Sequence, residues 1–272
     1  MKIHGESAVH SPLPAPRLTL GDGRAHLGAW SSFRDPAAVD VLAAEGFDWI
    51  CIDGQHGGAE LSEFKDLIDA AHAFSVPSIV RVSGHDLGAA GRVLDAGAGG
   101  LVFPTVEDPT TAGALVAACR FAPRGKRSYG PTRRSPRYPK PMPGDPREDA
   151  LCILMIETAE GLANLDGILA TGPDGIFVGP YDLSLSLGVS LEELTTGGHA
   201  AVLADIARRC TDAGVIPGIY TGEPELSRKM LALGFRFMPV ASDGGLLALA
   251  ARSAVSASAN LPDLSAPSLA NV

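Results

Sequence analysis

The sequence contains no stretch of 18 consecutive apolar residues, so no part of it reads as a membrane-spanning helix. The N-terminus has Lys2 but no apolar segment behind it, so no secretory signal is expected. Positive charge is in deficit: 22 Lys and Arg face 31 Asp and Glu, a formal net charge of -9. That balance argues against non-specific nucleic-acid binding and against attraction to an anionic membrane surface. The four cysteines, Cys51, Cys119, Cys152 and Cys210, form no CxxC and no close pair. Two of them sit in apolar runs, where a reduced thiol behaves as a small buried hydrophobe, and a cytoplasmic location is expected. No lysine ends a predicted strand, which weighs against a Schiff-base nucleophile.

The chain of 272 residues is 46% hydrophobic, enough for one large core or two modest ones. Short apolar runs recur at HLGAW, DWICID, PSIVRV, GLVFPTV, CILMIET, GIFVGP, IPGIY and FRFMPV. Most are nearly continuous, as strands buried on both faces should be. Helical patterns separate them. In DPAAVDVLAAEG, Asp35 is placed as N-cap, Pro36 as the first helical residue and Gly46 just past the end. AELSEFKDLIDAAHAF puts Leu61, Phe64, Leu67, Ile68 and Ala71 on one face. DLGAAGRVLDAG and DPTTAGALVAACR each open on an Asp cap, and HAAVLADIARRCTDAG closes on Gly214.

Eight strands alternating with helices predict an α/β fold, a closed (β/α)8 TIM barrel in one domain. An open doubly wound sheet would normally carry a Gly-rich phosphate turn after its first strand, and GAWSSF is not one. Proline-rich flanks without periodicity set the boundaries: a loose arm over 1–22, the barrel over 23–260 and a flexible tail over 261–272. The long, basic, proline-rich segment from Phe121 to Asp149 interrupts the rhythm. It joins the fourth helix to the fifth strand, so it lies on the barrel face opposite an active site, where an ordered subunit-contact loop is expected, with a mobile surface excursion as the alternative.

Polar residues collect where the strands end. DWICIDGQHGG begins as a buried strand and finishes on Asp53, Gln55 and His56. Trp30, Arg81, Glu157 and Asp182 end other strands. In a barrel these C-terminal ends converge on one pocket, and ionisable groups buried there without work to do would be costly. Glu157 and Asp182 follow the neighbouring fifth and sixth strands. Two carboxylates so close repel unless a cation lies between them, and two protein oxygens plus water suit Mg2+ or Mn2+. No HxH or Cys/His cluster accompanies them, which disfavours zinc. Such an ion beside an Arg and a His would suit enolate chemistry on a chelating 2-oxo acid. Backbone N–H groups of the turn at Gly179, Pro180 and Tyr181 could receive the acid's carboxylate, although Pro180 has none to give.

DWICIDGQHGG, SIVRV, MIETAEGLANLDGIL and DGIFVGPYDLSLSLG closely resemble the HpcH/HpaI aldolase family of metal-dependent class II pyruvate aldolases. The similarity runs from about Leu27 to about Leu247. It implies a barrel of the phosphoenolpyruvate/pyruvate type, with Glu157 and Asp182 binding a divalent ion (Mg2+, Mn2+ or Co2+). It also implies His56 as general base, Arg81 polarising the keto oxygen, and Asp95 paired with His56. The spacing of RVLDAG itself puts Asp95 in the last turn of a helix. Trp30 and Gln55 join the Gly179–Tyr181 turn as expected substrate contacts. Two departures stand out: many relatives have Glu at the position of Gln55, and Gln at that of Met155.

The implied reaction is reversible cleavage of a 4-hydroxy-2-oxo acid to an aldehyde and pyruvate, or a similar donor such as hydroxypyruvate, in aromatic- or sugar-acid catabolism. Relatives form hexamers, trimers of dimers, in which the last helix packs on a neighbour. Other readings use the same barrel: oxaloacetate decarboxylation, a CoA-ester lyase, or a catalytically silent 2-oxo-acid binder. No extra domain for CoA is visible, and a binder needs no base.

Overall fold

The computed structural model describes residues 16–130, 144–145 and 149–258. In its first half β1 (His26–Ser31) leads to α1 (Pro36–Ala44), β2 (Trp49–Asp53) to α2 (Phe64–Ala73), and β3 (Ser78–Arg81) to α3 (Leu87–Ala96). Next come β4 (Gly100–Phe103), α4 (Pro109–Cys119), β5 (Leu151–Ile156), α5 (Ala159–Ala163) and α6 (Leu165–Leu169). β6 (Gly175–Val178) is followed by α7 (Pro180–Leu187), α8 (Leu191–Thr195) and α9 (Ala200–Asp212). β7 (Ile216–Ile219), α10 (Pro224–Ala232), β8 (Phe237–Ser242) and α11 (Asp243–Ser258) complete the series. All strands pair in parallel with their sequence neighbours and β8 closes on β1, giving the expected (β/α)8 barrel.

The caps that the sequence encodes form. Asp35 accepts from the Ala37 amide at 3.0 Å, Asp86 from Gly88 and Ala89, and Asp108 from Thr110 and Thr111. Each satisfies amides that a first helical turn leaves without a partner. β8 starts two residues later than the FRFMPV run suggested, and the short α5, α6, α7 and α8 were not resolved by periodicity. Helices of one or two turns carry too little of a 3.6-residue repeat to announce themselves.

Strand alternation divides the core into two layers. One side of each strand faces the helices, through residues such as Ile50, Ile52, Val80, Leu154 and Val178. The other side fills the barrel with Trp30, Trp49, Cys51, Ile79, Val102, Ile153, Met155, Phe177 and Phe237. Trp49 stacks on Phe237 with centroids 4.0 Å apart, and Phe177 meets Phe237 edge-on at 5.9 Å. Leu18 and Leu20 of the expected loose arm pack against this inner layer together with Ile216. That part of the arm is therefore tied down, because an apolar floor was available to bury it. Residues 1–15 and the expected tail at 261–272 lie outside the described residues.

On the same N-terminal face, the Arg127 guanidinium lies over the Phe121 ring at 4.6 Å and 3.6 Å from Asp95. The start of the basic segment thus seats on the face expected for it, while 131–143 and 146–148 fall outside the described residues. Among the described residues no helix is long and apolar enough to cross a membrane. The cysteines are all buried and unpaired. Burial pushes the Cys51 thiol up, and that of Cys210 up to about 12, so neither is a ready nucleophile.

Candidate active site

The inward register carries straight into the site. Two residues beyond inward-facing Cys51, Ile79 and Met155 come Asp53, Arg81 and Glu157, so each points into the mouth of the barrel. Asp53 and Arg81 are direct cross-strand partners in the β2–β3 register. The guanidinium grips the carboxylate at both oxygens, with Nε donating to Oδ1 at 2.9 Å and Nη2 to Oδ2 at 2.6 Å. The Trp30 indole N–H adds a third bond to Oδ2 at 3.1 Å, and the Gln55 and His56 amides donate to Oδ1 at 3.0 and 3.2 Å. The Arg81 side chain is 11% exposed and Asp53 is 3% exposed. Burial alone would raise the Asp53 carboxyl, but Arg81, Trp30 and the Gln55 amide more than offset it and hold it below the usual carboxylate range. Burial opposes the Arg81 charge too, and the fields of Asp53 and Glu157 keep it raised above its ordinary value.

Trp30, expected as a substrate contact, is 3% exposed and spends its only donor on Asp53. It serves as the floor: the Arg81 guanidinium carbon lies 4.9 Å from its ring centroid, and Phe177 stacks against it at 5.7 Å. The Gln55 side-chain oxygen is buried without a hydrogen-bond partner. The His56 ring is exposed and makes no hydrogen bond among the described residues, while its backbone is pinned by Asp53.

Glu157 is 5% exposed and oriented by one neighbour. Its Oε1 accepts from the Thr105 amide at 2.7 Å and from the Thr105 hydroxyl at 2.9 Å. Thr105 holds a left-handed backbone, φ 50°, to do this, a conformation that costs a β-branched residue about 1–3 kcal/mol. Oε2 accepts nothing among the described residues and looks toward Gly179, where an added Cβ would come within 2.5 Å of it. Asp182 is exposed in the first turn of α7, which begins at that glycine. The sequence reading offered the Gly179 amide to a substrate carboxylate. Gly179 instead donates to the Ile156 carbonyl at 3.4 Å, and the Tyr181 amide of that turn has no acceptor among the described residues.

Within one chain Asp95 does not meet His56. It sits in the last turn of α3 beside Arg127 and Gly130, lining a cavity with Gly97, Gly99, Leu151 and Ile216, residues that lead into β4, β5 and β7. His56 follows β2, so the two lie at opposite ends of the barrel. The carboxylate that touches the His56 segment is Asp53, three residues earlier. Met155 faces inward as alternation required. Thr105 and Tyr220 were missed. Thr105 gave no signal, whereas Tyr220 closes the IPGIY run and could have been found as one more strand-end polar residue.

A parallel barrel that buries an oriented arginine and a carboxylate pair of oxygens at its C-terminal mouth is a barrel enzyme for a small anionic substrate. A family model described as HpcH/HpaI aldolase/citrate lyase matches residues 26–250. The hydroxypyruvate/pyruvate aldolase of Deinococcus radiodurans is 37% identical over 238 residues, covering 86% of each chain. The 4-hydroxy-2-oxovalerate aldolase of Rhodococcus jostii is 35% identical over 244 residues, covering 88% of this chain and 94% of the relative. A solved HpcH/HpaI aldolase/citrate lyase family protein from Burkholderia cenocepacia superposes with a TM-score of 0.77 at 29% identity, over 87% of this chain and 95% of that one. The chain belongs to the HpcH/HpaI aldolase/citrate lyase family, and it is a carbon–carbon lyase of the aldolase type.

Proposed function

We propose that the protein reversibly cleaves a 4-hydroxy-2-oxo acid into an aldehyde and pyruvate or hydroxypyruvate. The observation that carries this is the Asp53-clamped Arg81 beside a buried, half-satisfied Glu157. With Nε and Nη2 committed to Asp53, Arg81 presents Nη1 to a keto oxygen. That donor is aimed before substrate arrives, so little reorganisation is needed as negative charge develops on the oxygen. The Tyr181 amide, in the first turn of α7, takes the acid's carboxylate in this reading, supported by its position at a helix N-terminus. His56 moves the proton at the 4-hydroxyl from the open side of the pocket.

A divalent ion fits the remaining donors. Glu157 Oε2 accepts no hydrogen bond among the described residues, and Asp182 follows the next strand in the first turn of α7. No group of three or more His, Cys, Asp or Glu gathers among the described residues. Two carboxylates with room for water suit Mg2+, Mn2+ or Co2+ rather than a closed zinc site. When bound, such an ion would supply Lewis-acid polarisation of the 2-oxo acid.

A panel of 2-oxo acids against aldehydes, with oxaloacetate as a decarboxylation arm and with and without Mn2+, tests the reading. Decarboxylation alone, with no aldol product from any pair, would reject it. Within the panel, Arg81→Lys keeps the charge and loses the planar fork, so kcat should fall roughly 10²-fold. Metal affinity should hold within a few-fold, and an unchanged kcat would remove Arg81 from the mechanism.

A cytosolic site of action belongs to the same proposal, supported by four unpaired buried cysteines. So does self-association through α11. Only Asp243 of that helix is buried, while Leu247 and Leu249 are each 60% exposed and Val255 70%. Deleting residues 248–272 should lower the oligomeric state in sedimentation velocity, from the hexamer implied by the family. A monomeric full-length protein would dismiss the idea.

A further inference from the structure

A groove of about 580 Å³ opens beside the Arg81 cluster, and the 2-oxo acid has no use for it. Its lining includes Tyr181, Tyr220, Glu192, Glu223, Glu225 and Lys229. Tyr181 immediately precedes Asp182 in α7. Tyr220 follows the last residue of β7 and meets the Trp30 indole edge-on, with centroids 5.4 Å apart. The groove therefore begins where the donor half of the substrate ends.

The Tyr220 ring is held between Trp30 and the Gly222 backbone. It leans over Gly222, where an added Cβ would lie 3.3 Å from the phenolic oxygen, and that glycine holds φ +68°. Burial is the largest influence on the phenol and pushes it up from its ordinary value, while Ser242 acts in the opposite direction, so at neutral pH the group is a proton-bearing donor. The charges beyond it are lopsided. Lys229 is the groove's one cation among the described residues, and its Nζ lies 3.7 Å from Glu225. Glu192 and Glu223 make no ion pair among the described residues. A carboxylated aldehyde would find two like charges and no open cation, whereas a hydroxyl would find acceptors and a phenol.

We propose that Tyr220 determines specificity for the aldehyde half of the substrate. Its hydroxyl donates to a hydroxyl on the carbon next to the reacting carbonyl, and the groove takes an uncharged hydroxyaldehyde in preference to a carboxylated one. This rests on the aldolase reading above. A site built to bond a substrate hydroxyl discriminates against the analogue that lacks it, because its own polar group is then left unpaired.

The test compares kcat/KM for glycolaldehyde, acetaldehyde and succinic semialdehyde with pyruvate as donor, in the metal-loaded full chain. Wild type should favour glycolaldehyde over both others. Tyr220→Phe, which keeps the ring against Trp30, should shrink the glycolaldehyde-to-acetaldehyde ratio by about tenfold. Glu223→Gln should raise kcat/KM for succinic semialdehyde several-fold, with a gain that fades as salt screens the groove. An unchanged ratio in Tyr220→Phe, or a wild-type preference for succinic semialdehyde, overturns the proposal. Deuterium exchange into the pyruvate methyl group without aldehyde reports on the donor half alone. Its absence in wild type would sink the aldolase reading instead, so the two failures are distinguishable.

Discussion

Dialysis against a chelator should bring aldol cleavage below detection, a loss of roughly 10³-fold or more given the several kcal/mol such an ion contributes. Mn2+, Mg2+ or Co2+ should restore it. Glu157 is the residue on which this turns. It is buried, yet one of its oxygens is left without a donor while Thr105 accepts a strained backbone to hold the other. Glu157→Gln keeps an oxygen for the two Thr105 donors, so the barrel should fold with little change in Tm. Glu157 also lies beyond the last β5 residue, outside the sheet ladder. Metal content measured after gel filtration should nonetheless drop to background. Gly179→Ala offers a graded version, since its methyl group would press on the same carboxylate oxygen. Full activity of the wild-type protein in excess EDTA would overturn the assignment.

Replacing His56 by Ala should cost about 10²–10⁴-fold in cleavage, the range for a lost general base. The structure predicts a clean variant. The imidazole is exposed and bonds to nothing among the described residues, and the residue's tie to Asp53 runs through its backbone amide, which alanine retains. Arg81 should stay clamped, so pyruvate and metal should still bind. The acidic limb of the pH–rate profile should flatten in the variant. Asp53 cannot generate that limb near neutrality. Its carboxyl is held below the ordinary value, so it stays ionised, and the stability it lends is lost only as pH falls through that lowered value. If cleavage by His56→Ala runs at the wild-type rate, the base lies elsewhere.

The barrel and the inward direction of its strand-end residues were legible because one periodicity fixes both. Once CID, VR and MIE are read as period-two strands, the positions of Asp53, Arg81 and Glu157 follow from those of Cys51, Ile79 and Met155. What the sequence could not disclose depends on neighbours far along the chain. Asp53 and Arg81 are 28 residues apart and meet only through the β2–β3 register. Thr105 reaches Glu157 across 52 residues through a backbone conformation that no propensity favours for threonine. For Asp95 the resemblance and the helix spacing of RVLDAG pointed different ways, and within one chain the residue follows the helix. The end of α3 faces the floor of the barrel, and the charge found Arg127 there.

That floor has a consequence for traffic. Trp49 and Phe237 stack across the lower barrel, and Leu18, Leu20 and Ile216 seal beneath them. Both substrates and both products must therefore use one door. In the proposed reaction Glu157, Asp182 and the Arg81 cluster would hold the 2-oxo acid against the strand ends, with the aldehyde half in the groove past Tyr220. With the aldehyde half nearer the exit, that arrangement predicts that the aldehyde leaves first in cleavage. In synthesis the 2-oxo acid must already be seated before the door is shared with its partner.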